Sequence, residues 1–206
     1  NRLDNFPTRL RQQEALNKMV DFFSIGGENF LLGAIMRYGK NFTFLTASKK
    51  LLTDKENILV LTNKPGVFNS LRKDIESHVY FEGWEFIQLR DKKDKDNLVL
   101  DPNKVSVVAV SKQLADNIVS GAATREFLTS NKFKTALFDE CHSGTDTETF
   151  KDLLSILDID YKVWASGTPF NTIASMGFDI RNSYMYGYVE QQEDKRAGLV
   201  PDAVTL

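Results

Sequence analysis

The sequence predicts an α/β fold: a mostly parallel sheet with helices on both faces. Three observations carry that expectation. Short runs of branched and aromatic residues, such as NILVLT (57–62) and VSVVAV (105–110), are apolar throughout rather than alternating, as strands buried on both faces must be. Segments with helical or polar patterning separate them, and strands alternating with helices give parallel pairing. A chain of 206 residues, 42% hydrophobic and 26% charged, has enough apolar material for one substantial core.

Taken in order, Leu16, Met19, Val20 and Phe23 recur at the spacing of one helix face, and IGG (25–27) ends that helix. NFLLGAI (29–35) reads as a buried strand, followed by a helix over about 40–52. NILVLT is the second strand, and Pro65 suits the first turn of the next helix because its fixed φ is already helical. EFIQL (85–89) reads as a strand and DKKDKDN (91–97) as a solvated loop. VSVVAV and TALFDE (135–140) are two further buried strands. Thr145 and Glu148 have the spacing of a capping box, and Phe150, Leu153, Leu154 and Leu157 form a stripe behind them. YKVWAS (161–166) is a sixth strand. Beyond Asn171 the pattern weakens, and residues 190–206 read as a helix end and then a linker. The expected division is a domain over 1–180 and an extension over 181–206.

The formal net charge is −2, so any contact with nucleic acid must use a local face. One cysteine, Cys141, allows no internal disulfide and suits a reducing cytoplasm. No apolar run is long enough to span a bilayer, and the polar N-terminus shows no signal peptide.

Chemistry concentrates at two strand ends. AIMRYGKN (34–41) gives A-x-x-x-x-G-K between a strand and a helix. Glycine lets the backbone turn its N–H groups toward phosphates, the helix N-terminus adds its dipole, and lysine supplies a point charge. Ala34 stands where such a loop usually has glycine, and Asn41 where it has Ser or Thr. Asn41 has no hydroxyl, but its amide oxygen is a hard acceptor able to ligate Mg²⁺ directly or through water. Thr43 points away along the helix and is no substitute. The second strand end is ALFDECH (136–142). Of its adjacent carboxylates, Asp139 would hold Mg²⁺ and Glu140 would orient and deprotonate a water, with His142 placed to sense the terminal phosphate. A zinc site is rejected, since Cys141, His142 and His78 fall short of four ligands.

The ordered set MRYGK, FDECH and SGTPF (166–170) resembles superfamily 2 helicases and translocases, most of all the motor of type I and type III restriction-enzyme R subunits. The resemblance runs from about Arg9 to Phe170 and implies a P-loop NTPase, a RecA-like three-layer sandwich, with ATP and Mg²⁺ as cofactors. It implies that RLRQQEA (9–15) is the family's R-x-x-Q-x-x-A, with Arg9 and Gln12 on the adenine, and that Met36, Arg37, Tyr38, Gly39, Lys40 and Asn41 form the phosphate loop. Thr62, Asn63 and Lys64 would match motif Ia and Ser111, Lys112 and Gln113 motif Ib, both gripping a DNA backbone. Ser166 and Thr168 would couple hydrolysis to that grip. Implied partners are duplex DNA, a second RecA-like lobe, and nuclease or methyltransferase/specificity subunits. Asn41 departs from the family and keeps a second reading open: a degenerate module that binds nucleotide or DNA with impaired hydrolysis.

Overall fold

The computed structural model describes residues 2–64, 66–89, 98–116, 122–140, 148–169 and 176–199. Within them the chain forms α1 (Leu10–Ser24), β1 (Asn29–Ala34), α2 (Lys40–Leu51), β2 (Asn57–Thr62), α3 (Val67–Ser77), β3 (Trp84–Leu89), β4 (Val105–Ser111) and α4 (Lys112–Asp116). Then come α5 (Ala122–Thr129), β5 (Phe133–Asp139), α6 (Glu148–Ile156), β6 (Ile159–Ser166), β7 (Ser183–Tyr186) and α7 (Tyr188–Arg196). The seven strands form one sheet in the order β3-β4-β2-β5-β6-β1-β7, and every pairing is parallel.

The sheet explains why its strands read as unbroken apolar runs. Successive side chains leave a strand on opposite faces, and both faces are covered. Phe30, Leu32, Ile58, Val60, Val107 and Ala109 join one core with Leu16 and Met19 of α1, Phe44 of α2 and Leu71 and Ile75 of α3. Leu31, Leu59, Leu61, Val108 and Val110 join the other, with Ala115, Leu128 and Leu153 from α4, α5 and α6. Phe138 and Trp164, register partners on β5 and β6, stack at 4.5 Å on this second face.

Several boundaries differ from the sequence expectation. β6 begins two residues earlier than expected, at Ile159. β5 ends at Asp139, not Glu140, because Glu140 takes a left-handed φ of 52°. α6 ends at Ile156, leaving Leu157 buried just beyond it. Pro65, the 91–97 loop and Thr145 of the expected capping box lie outside the described residues. β7 is a strand that the weak pattern after Asn171 does not announce: only Ser183 and Tyr186 of its four residues are buried, so no apolar run marks it. It pairs with β1 from Leu31↔Ser183 to Ala34↔Tyr186. Gly33 permits this close packing, since a Cβ there would come within 2.3 Å of Met185 Sδ and 2.9 Å of the Pro169 ring.

Gly33→Ala is therefore expected to cost about 1–3 kcal/mol, the usual penalty for overfilling a packed site. Urea unfolding of the two proteins measures it, and an unchanged midpoint would show that Met185 and Pro169 yield freely.

Candidate functional site

Register alone lines up the carboxyl ends of five strands. Gly33 of β1 pairs with Ser166 of β6, Ala165 of β6 with Asp139 of β5, Asp139 with Thr62 of β2, and Thr62 with Ser111 of β4. In open α/β sheets this edge is where ligands sit. The strand carrying Asp139 is two positions from the strand feeding the glycine-lysine loop, a span of about 10 Å at ordinary strand spacing.

The loop between β1 and α2 is fixed from several directions. Gly39 has φ 92°, and a Cβ on it would lie 2.5 Å from Gln12 Nε2, so both its backbone and its surroundings require glycine. Arg37 is also left-handed, at φ 65°. Gln12 Nε2 donates to Tyr38 O at 2.8 Å, and Arg9 hydrogen-bonds the carbonyls of Arg37 and Tyr38. Arg9 N donates in turn to Gln12 Oε1 at 2.9 Å. Lys40 starts α2 and folds back so that Nζ donates to Ala34 O at 2.9 Å. The residue after it, Asn41, is half-buried and lines the same groove as Lys40, Lys64, Asp139 and Glu140.

Opposite the loop, the two acids are held differently. Asp139 is 4% exposed and accepts from Thr62 Oγ1 at 3.1 Å. Glu140 turns left-handed, its N–H donating to Ala165 O at 2.9 Å. That turn swings its carboxylate to the end of β6, where Gly167 N donates to Oε1 at 3.0 Å and Ser166 Oγ lies 3.5 Å from Oε2. Thr168 N donates to Ser166 Oγ at 3.0 Å, while the Thr168 residue is exposed. Asn63 Nδ2 closes the arrangement by donating to Glu140 O at 3.0 Å.

Burial sets the electrostatics. Desolvation, partly offset by the nearby Glu140 and Asp139, holds the Lys40 ammonium below its usual pKa. Desolvation likewise pushes the Asp139 carboxyl up, against the Thr62 hydrogen bond and the Lys40 charge. Two groups of opposite sign thus face one groove with both charged forms penalised. Among the described residues no cluster of three His, Cys, Asp or Glu could cage a metal. One carboxylate beside a phosphate-sized groove suits Mg²⁺, which keeps most of its waters and relies on substrate phosphates.

The structure corrects part of the expected nucleic-acid face. Thr62 is fully buried and its hydroxyl is used on Asp139, so it has no surface to offer a DNA phosphate. Lys112 is 6% exposed and enclosed at the start of α4. Ser111 Oγ accepts from Leu114 N at 3.3 Å and caps that helix. Asn63, Lys64 and Gln113 remain exposed, and Lys64 faces the groove with the two acids. His142 lies outside the described residues. The sequence reading passed over Gly167 as a contributor; a glycine directly after a buried strand end was the available signal. Arg11, Tyr186 and Asp194, which brace the loop from behind, left no motif at all.

Residues 5–171 match the family described as type III restriction enzyme, res subunit. No curated protein matches the chain. Among solved structures it is similar to the Sulfolobus solfataricus SWI2/SNF2 ATPase core in complex with dsDNA, with TM-score 0.62 and 16% identity over 85% of this chain and 34% of that one. It is similar also to a nuclease-deletion mutant of the Type ISP restriction-modification enzyme LlaGI in complex with a DNA substrate mimic, with TM-score 0.65 and 15% identity over 94% of this chain and 21% of that one. These likenesses establish a shared RecA-like fold, and the chain spans about a third or less of either neighbour. No helix among the described residues is long and apolar enough to cross a membrane.

A pH-dependent stability difference follows from Asp139. Its pKa is raised on folding from 3.8, so folding favours the protonated form. That contribution is fully present below the unfolded value and is lost as pH rises through the folded one. Asp139→Asn, neutral at every pH, should unfold a few degrees higher than the parent at pH 7–8, and the gap should close as pH falls toward 4. Thermal melts across that range test it; a variant less stable at neutral pH would contradict the burial argument.

Proposed function

The chain belongs to the type III restriction enzyme res subunit family, and from that premise we propose that it is the first lobe of an ATP-driven motor that moves along duplex DNA. One observation carries the reading: Lys40, Asp139 and Glu140 line a single groove in which Lys40 and Asp139 both lack full charge compensation. A triphosphate with a divalent cation supplies the missing partners. Lys40 would exchange Ala34 O for a phosphate oxygen, and the N–H groups opening α2 would point at the same anion. Arg9 and Gln12, already tied to the loop, would flank the base, Gln12 through its second amide hydrogen.

Asp139, oriented by Thr62, and the amide oxygen of Asn41 are the donors suited to Mg²⁺, which when bound offsets phosphate charge. Glu140 would accept the proton of the attacking water. Its carboxylate is steered by Gly167 N–H and Ser166, so a change in Glu140 on hydrolysis would pull on the end of β6. We place the coupling there, with Thr168 contributing its backbone N–H to Ser166. The track would be gripped by exposed polar residues such as Asn63 and Gln113, through phosphates and hence with marked salt sensitivity. Residues 1–180 would form the lobe, and residues from 181 on, which add β7 and α7, would lead toward a second RecA-like lobe. Nuclease, methyltransferase or specificity functions would lie in other parts or subunits of a cytoplasmic assembly.

Asn41 supports one other reading, a module that binds nucleotide without turning it over efficiently. Asn41→Thr separates the two: a large gain in ATP turnover favours the impaired module, and little change favours an active site adapted to asparagine.

Three measurements test the motor reading. Glu140→Gln should retain Mg²⁺·ATP binding while steady-state turnover falls about 10²–10⁴-fold, the range of a lost general base. Loss of binding instead would assign Glu140 to the ligand shell. The 206-residue chain alone should hydrolyse ATP slowly with little stimulation by duplex DNA, because one lobe cannot close over the nucleotide. Strong DNA-stimulated turnover by this chain would overturn the two-lobe mechanism.

A further inference from the structure

α7 is docked in an unusual way. A surface helix normally buries an apolar stripe. Here the one buried residue of the helix is a carboxylate, Asp194, 1% exposed, while Tyr188 and Val189 are 69% and 65% exposed. Asp194 accepts from Arg11 Nε at 3.0 Å, from Arg11 Nη2 at 2.6 Å and from the Tyr186 hydroxyl at 3.0 Å. Polar contacts to two residues therefore do much of what packing does for other helices.

Both partners lead directly to the glycine-lysine loop. The backbone carbonyl of Arg11 accepts from the Tyr38 hydroxyl at 2.6 Å. The Tyr186 ring packs on the Tyr38 ring at 5.1 Å, and Tyr186 O accepts from Ile35 N at 3.1 Å. Tyr38 is 4% exposed and its own carbonyl holds Gln12. The loop is thus clamped between Gln12 on one side and the Tyr186–Asp194–Arg11 set on the other. Removing Asp194 would strand a guanidinium and a hydroxyl and release the side of the clamp that no apolar packing secures.

We propose that Asp194 is a positioning residue for the phosphate loop: by holding Arg11 and Tyr186 it fixes Tyr38, and occupancy of the loop is felt in return by helix 188–196. The return effect is required by linkage, since a latch that improves ligand binding must itself be tightened by the ligand. The inference rests on the reading that this loop binds a nucleotide's phosphates. It assigns the latch a task that reading does not contain, which is to report loop occupancy to the chain beyond the sheet.

The test uses the 206-residue chain with Mg²⁺ and a ribose-labelled fluorescent ATP, titrated by anisotropy. Asp194→Ala is expected to weaken binding about fivefold or more, the lower end of ordinary coupling strengths. Tyr186→Phe, which keeps the ring and loses the hydroxyl, should shift it less in the same direction. Leu153→Ala, in the core on the opposite face of the sheet, supplies a comparably destabilised protein whose affinity should match the parent. Hydrogen exchange adds a readout that a merely structural role would leave alone: Mg²⁺·ATP should slow exchange across 188–196 in the parent and not in Asp194→Ala. Parent-like affinity in Asp194→Ala, or a loss no greater than that of Leu153→Ala, overturns the proposal while leaving the nucleotide site intact. Failure of the parent itself to bind removes the phosphate-loop reading, and the latch with it.

Discussion

The register of four neighbouring parallel strands is the constraint on which the rest of this structure depends. β1, β6, β5 and β2 end level with one another, and that alignment converts four short motifs scattered over more than a hundred residues into one rim. A one-residue slip in any pair would turn its side chains to the opposite face and send Asp139 or Ser166 into a helix layer. The dense two-faced core is what forbids the slip, because each strand's alternate residues are committed to one of two separate apolar clusters.

The rim itself is held at some energetic disadvantage. Arg37 and Glu140 adopt left-handed backbone, on the order of 1–3 kcal/mol each where the surroundings enforce it. Lys40 and Asp139 are buried beyond what their mutual attraction offsets. These features share a physical sense. The Glu140 turn places a carboxylate against Gly167 N–H, away from the path its strand would have given it. The desolvated lysine and aspartate are poised for an anion and a cation, which would repay the burial. Local destabilisation of this kind concentrates where a site must prefer its ligand to itself.

Bracing from the two flanks is unequal. The side formed by α1 is packed, with Leu16, Met19 and Phe23 in the core and Gln12 reaching the loop. The side formed by β7 and α7 relies on Gly33 for its approach and on the Asp194 contacts for closure. Polar latches exchange partners more readily than packed cores repack, so motion is expected on the second flank.

Much of this was legible in the residues alone. The α/β class, six of the seven strands and the pairing of a glycine-lysine loop with a D-E strand end follow from apolar runs, helical spacing and strand-end chemistry, all of them local properties of short segments. Tertiary structure decided what depends on partners distant in sequence. Thr62 looked like a backbone-gripping hydroxyl, yet the neighbouring strand claims it for Asp139; Lys112 looked solvent-facing and is enclosed. β7 carries no apolar signature because it is an edge strand defined by Gly33 and the backbone of β1, and Asp194 reads as one more charge in a polar helix until Arg11, distant in sequence, meets it. A sequence specifies which segments must be buried, whereas a hydrogen bond between two of them exists only once the packing has set their separation to within an ångström.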